Sequence, residues 1–279
     1  MMSGMASTSD NSPMAPEPTR LRQIALVAHD LERARHLLTT VIGTEVIYED
    51  PLVAQWGLKN ILVPLGGDII EVVSPISPSP SVPASRHLSK HGEGGYMIIM
   101  QTVCIQYHPR GIKGGVIPEL DSHFPRESGG RPDGMKDRIA PWHACGPSSG
   151  FDKYGEIMRR NSHLHLLAAS LQLAPGDHDV EGAGRQWEGH FGVKRVGKGE
   201  AGFTNARMLF LESNDGEKEG LKEIVVGVEG EEKLSGILKR ARSEGLQVVE
   251  ERGRTGTVLM LGVRWRFVLL DKGQIKSQL

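Results

Sequence analysis

The sequence predicts an α+β fold, and three observations carry that prediction. Short β-rich runs recur along the chain, two of them joined by Gly66-Gly67 as a hairpin; helices with apolar stripes follow isolated strands; and a strand, helix, strand, strand, strand order appears in the first third and returns in the last. At 279 residues the chain suits two domains or one domain with an appendage. A net charge of −1 gives no electrostatic footprint for nucleic acid or a membrane surface, so neither is an expected partner. Two cysteines, Cys104 and Cys145, make neither a disulfide framework nor a metal cluster. No apolar run approaches the roughly 20 residues that span a bilayer. A soluble, cytoplasmic chain is expected, with residues 1–20 a polar disordered tail.

Leu21 to Ala28 reads as the first strand, with Gln23, Ala25 and Val27 on one face. Asp30 caps a helix whose stripe is Leu31, Ala34, Leu37, Leu38 and Val41, and Gly43 closes it. Glu45 to Tyr48 is a short strand. Asn60 to Leu65 and Asp68 to Val73 are the hairpin strands, with Ile69, Glu71 and Val73 sharing a face. An acid in a strand apolar on both faces is costly to bury without a partner. Glu71 therefore either meets a metal or another cation, or points to solvent at a sheet edge. Pro75 to Pro83 is a linker, and Tyr96 to Val103 is the strand after the cluster Gly92-Glu93-Gly94-Gly95.

The ordered series of opening strand, Asp30-Leu31-Glu32-Arg33-Ala34, glycine-closed helix and LGGDIIEVVSP resembles the vicinal oxygen chelate superfamily, which includes glyoxalase I, methylmalonyl-CoA epimerase and the extradiol dioxygenases. The resemblance implies tandem βαβββ modules curled into half-barrels around a divalent metal. Carried over residue by residue, it puts Gln23, Glu71 and Glu119 at metal-ligand positions. Glu119 lies in HPRGIKGGVIPEL, which resembles an epimerase-like ending. Tyr96 stands where the family usually has a His. Tyr96 and His108 are the candidates for proton transfer, and a hydrogen-bonded structural role is the alternative for His108. Two carboxylates, an amide oxygen and water suit a hard divalent cation, while the missing imidazole opens a metal-free pocket as the alternative.

The second module is short. Only Cys104 to Tyr107 separate Val103 from His108, whereas a crossover helix and its following strand need on the order of 25–30 residues. The expectation is that this copy lacks them. The resulting organisation is a glyoxalase-like domain at 21–123, a loop-rich linker at 124–160, a second and divergent domain of the same kind at 161–272, and a tail at 273–279. In the linker, Trp142, His143 and Cys145 belong either to a substrate-contacting loop or to a rigid strap. In the last third, His163 to Leu173, Asn205 to Glu212 and Leu221 to Val228 read as strands. Val180 to Phe191 and Glu231 to Glu244 read as helices, and Thr257 to Leu261 and Val263 to Leu270 as a closing hairpin. Glu212 and His165 are the only ligand candidates there, with structural roles preferred.

Three functions follow. The resemblance implies a metal-dependent lyase, isomerase or dioxygenase acting on a small oxygenated metabolite. A metal-free protein that sequesters a small molecule is the second reading, and an inactive product of a damaged gene is the third. The expected partners are a small-molecule substrate or ligand and, for a homodimer, a second copy of the chain.

Overall fold

The computed structural model describes residues 19–102, 111–122, 138–141, 145–251 and 253–271. His108, Trp142, His143, Cys104, residues 1–18 and the expected tail at 273–279 lie outside the described residues, while Thr19 and Arg20, expected in the first tail, are buried and Arg20 opens the first strand.

The first sheet is built around β1 (Arg20–Val27), every residue of which is buried. After β1 come α1 (Leu31–Leu37), β2 (Leu58–Leu65), β3 (Asp68–Pro75), α2 (Pro83–His91), β4 (Gly94–Thr102) and β5 (Ile117–Ser122), in the sheet order β2-β3-β1-β4-β5. Glu45–Tyr48 contributes one bridge, Tyr48 to Leu62, rather than a full strand. Asp30 caps α1 by accepting hydrogen bonds from the amides of Glu32 and Arg33. Leu31, Ala34 and Leu37 are buried. A π-helical turn at Leu38–Ile42 prolongs α1 before Gly43 ends it at φ 82°. Loss of the cap in Asp30→Ala should cost about 1 kcal/mol in urea unfolding.

The second sheet starts after α3 (Phe151–Arg160), with β6 (Leu164–Gln172), α4 (Val180–Phe191), β7 (Lys194–Gly197), β8 (Glu200–Gly202) and β9 (Arg207–Leu211). It continues with β10 (Gly220–Glu229), α5 (Glu231–Ser243), β11 (Val248–Glu251), β12 (Thr255–Met260) and β13 (Val263–Leu270). Its order is β11-β12-β13-β10-β6-β9-β8-β7. This is two complete βαβββ units whose first strands, β6 and β10, pair antiparallel, each unit closed by a last strand parallel to its own first.

The two sheets share one plan down to their irregularities. In the β1–β4 pair the register shifts between Leu21 and Gln23 and between Ala25 and Leu26. In the β10–β6 pair it shifts between Leu221 and Glu223 and between Val225 and Val226. Thus β1 corresponds to β10 and β4 to β6. Like β6 and β9, β4 and β5 pair parallel, yet only residues 103–116 join β4 to β5. The link from β6 to β9 holds α4, β7 and β8.

One face of each sheet, with α1, α4 and α5, forms a single core that includes Ile24, Leu26, Ile98, Ile224, Trp187 and Trp265. A buried polar junction ties the sheets together. Asp68 pairs with Arg20 at 2.8 Å and lies 3.9 Å from Arg22. Asn205, between β8 and β9, donates to Asp68 at 3.1 Å and exchanges two hydrogen bonds with the Leu21 backbone.

Three expectations need correction. The loop-rich linker expected at 124–160 is helical from Phe151, because Phe151, Tyr154, Ile157 and Met158 recur at helical spacing against Ile47, Leu62 and Ile69. The linker ends in a helix, since Pro83 occupies the first turn, where its missing N–H costs nothing. The hairpin β7–β8 follows α4, where no strands were expected.

Candidate functional site

The other face of the first sheet lies between two helical walls. At one end α3 packs on Leu62 and Ile69; at the other, Ala84 and Leu88 of α2 pack on Leu58, Val27, Val73 and Tyr96. Ala25, Ile99 and Met97 form the apolar floor between them.

The register places Gln23, Glu71 and Glu119 on this one face. Gln23 lies opposite Ile69 and Ile99, Glu71 opposite Ala25, and Glu119 opposite Ile99. Glu71 sits on β3, between β2 and β1, so it is not at a sheet edge. Its two oxygens accept from Asn60 Nδ2 at 2.6 Å and Gln23 Nε2 at 2.8 Å. Burial pushes the carboxyl up to about 7 and the nearby Glu119 charge adds to this, while the two amide donors pull the other way. Gln23 turns its amide nitrogen to Glu71, leaving its buried Oε1 with no hydrogen-bond partner among the described residues. An acceptor so placed requires a donor or a cation.

Nothing in the sequence singles out Asn60 or His87, which the fold adds. Tyr96 is 7 % exposed, and its ring meets that of His87 edge-on at 5.5 Å. Burial, then the Glu71 charge, raises the Tyr96 phenol, and burial lowers His87, so at neutral pH the phenol keeps its proton and the imidazole is neutral. Tyr96 does not occupy the place that corresponds to Gln23. Gln23 precedes by two residues the β1 partner of Glu71; the residue two before the β4 partner of Glu119 is Met97. The register irregularity at the start of β4 puts Met97 opposite Ala25 and leaves Tyr96 without an opposite residue. A thioether thus stands at the fourth position.

In the second half, His165 is bonded to Glu229 at 2.5 Å, and Glu212 lies near His178 and Lys198. These two candidates do not meet. Among the described residues no three His, Cys, Asp or Glu side chains converge; the set on this face is two carboxylates and an amide. Its all-oxygen chemistry and the partnerless Gln23 Oε1 fit a hard divalent cation better than zinc or iron.

A folded pKa above the ordinary 4.5 means the native state binds the Glu71 proton more tightly. The stability this supplies is fully present below about 4.5 and is lost as pH rises through about 7, at up to about 1.4 kcal/mol per pH unit. In EDTA, the difference in melting between wild type and Glu71→Gln should follow that slope between pH 5 and 7; a pH-independent difference would contradict it.

No family model and no curated protein matches the sequence. Among solved structures, the chain is similar to a mutant of 4-hydroxymandelate synthase from Streptomyces coelicolor. The TM-score is 0.56 at 9 % identity, over 91 % of this chain and 93 % of that one. Methylmalonyl-CoA epimerases from Streptomyces coelicolor and Mycobacterium tuberculosis match 38 % and 41 % of this chain, covering 97 % and 95 % of their own. Their identity is 16 % and their TM-scores are 0.32 and 0.34. No helix among the described residues is long and apolar enough to cross a membrane.

Proposed function

We propose that this chain, which has the fold of the vicinal oxygen chelate superfamily, is a metal-dependent enzyme that acts on a small metabolite bearing two adjacent oxygens. The observation that carries this reading is the alignment of Gln23, Glu71 and Glu119 on one sheet face, with Gln23 Oε1 buried and lacking a partner among the described residues. Those three side chains would hold the cation. When bound, it supplies Lewis acidity toward a chelating substrate, the chemistry shared by lyase, isomerase and dioxygenase reactions on this fold.

The chain's own groups do the rest. Asn60 fixes the Glu71 carboxylate from the β2 side, and the Gln23 amide nitrogen fixes it from β1. Ala25, Ile99 and Met97 form an apolar layer beside the three ligands that excludes water. Tyr96, protonated and electrostatically coupled to Glu71, is the proton donor at the α2 wall, with His87 packed on its ring. His108 remains a second candidate for proton transfer.

The test uses the full chain in D2O with Mg2+ or Mn2+ and a panel of 2-oxo acids, hemithioacetals and catechols, followed by NMR. Conversion or deuterium incorporation should depend on the metal and fall at least about 100-fold in Glu119→Gln. Ligand binding that is equal with and without metal, and unchanged in Glu71→Gln and Glu119→Gln, would reject the enzyme in favour of a metal-free binding protein.

A further inference from the structure

The shared plan of the two sheets lets each position on that face of the first sheet be located on the second. With β1 matched to β10, Gln23 corresponds to Glu223 and Ala25 to Val225. Glu71, opposite Ala25, corresponds to Arg266, opposite Val225; Ile69 corresponds to Arg264 in the same way. Met97 corresponds to Ala168, and Glu119 to Leu209. The second face therefore carries an arginine where the first carries its central carboxylate, and an alkyl group where the first carries Glu119.

The surroundings are consistent with that exchange of charge. Among the described residues Glu223 pairs with both arginines, 3.4 Å from Arg266 and 3.9 Å from Arg264, with its side chain 16 % exposed while theirs are 46 % and 55 % exposed. One carboxylate between two guanidiniums leaves a net positive charge with donors still turned to solvent. Beside them, on the same face, Leu259 opposite Arg264 and Val249 opposite Thr257 are each 52 % exposed. Large apolar side chains bordering a cationic pair on an exposed sheet face suit a ligand with both an anionic head and an apolar body.

We propose that this exposed face of the second sheet is a separate binding site for a small organic carboxylate with an apolar body, its head held by Arg266 and Arg264 and its body lying on Leu259 and Val249. This site takes no divalent cation, because a guanidinium stands in the place that corresponds to Glu71.

Benzoate, with benzamide as the uncharged control, tests this by calorimetric titration of the full chain in EDTA. Saturable benzoate binding is expected, at least about 10-fold weaker for benzamide and for Arg266→Gln, and unchanged in Glu71→Gln. Arg264→Gln, altered at a more exposed position, gives a second variant should Arg266→Gln fail to fold, and should also lose at least several-fold. Absence of saturable benzoate binding to wild type, equal binding of benzamide, or full retention in a folded arginine variant would each overturn the assignment. Loss of benzoate binding in Glu71→Gln would move the ligand to the first sheet and overturn it too.

Discussion

Replacing Glu71 by Gln should weaken Mn2+ binding by at least about 100-fold while leaving the metal-free chain as stable as wild type at pH 7 or more so. Loss of groups that merely orient a ligand already costs 10–100-fold in metal affinity, and Glu71 is the proposed central ligand. The opposite sign for stability follows from the burial that raises this carboxyl to about 7: the isosteric amide removes a charge the fold holds at a cost. Asn60 and Gln23 would still have an oxygen to donate to, although one of them must then face the new amide nitrogen. A variant that lost metal only because it unfolded would show the reverse stability change, so melting and metal titration on one sample separate the two.

Asp68→Ala should cost about 3–5 kcal/mol, the largest loss expected from any single polar change. Asp68 is 2 % exposed and meets two arginines, Arg20 and Arg22, which are 5 % and 2 % exposed. Removing the carboxylate strands their charges between the sheets and also takes an acceptor from Asn205. Urea unfolding checks this, with Asn205→Ala as the milder comparison at about 1–2 kcal/mol. A loss under 1 kcal/mol for Asp68→Ala would mean that the junction does not hold the sheets together.

Much of the architecture was legible because local chemistry and long-range structure agree. Asp30 is a cap in the sequence and in the fold, Gly66-Gly67 joins two strands paired from Leu65 and Asp68 outward, and alternation in β3 puts Glu71 and Ile69 on one face. The candidate set Gln23, Glu71 and Glu119 falls on one surface for the same reason: strands of period two keep faces consistent as long as the register is regular. Where the register breaks, the reading breaks. The irregularity at Tyr96 brings Met97 to the place that counting alone gave to Tyr96, and no periodicity in the sequence announces a bulge. The helices α2 and α3 were hidden by prolines and glycines that also suit loops. Arg266 as the counterpart of Glu71, and Asn205 as a partner of residues more than a hundred positions away, are visible only once strands have been paired.

A metal site on the first sheet and a cation-free face on the second together fix the number of cations per chain. Mn2+ titration followed by electron paramagnetic resonance measures it directly on wild type, Glu71→Gln, Glu119→Gln and Arg266→Gln. The prediction is about one Mn2+ per chain in wild type and in Arg266→Gln, and none at the same concentrations in either glutamate variant. Mn2+ binding that survives in both glutamate variants, or a wild-type chain that binds none, would contradict the assignment of the metal site to the first sheet.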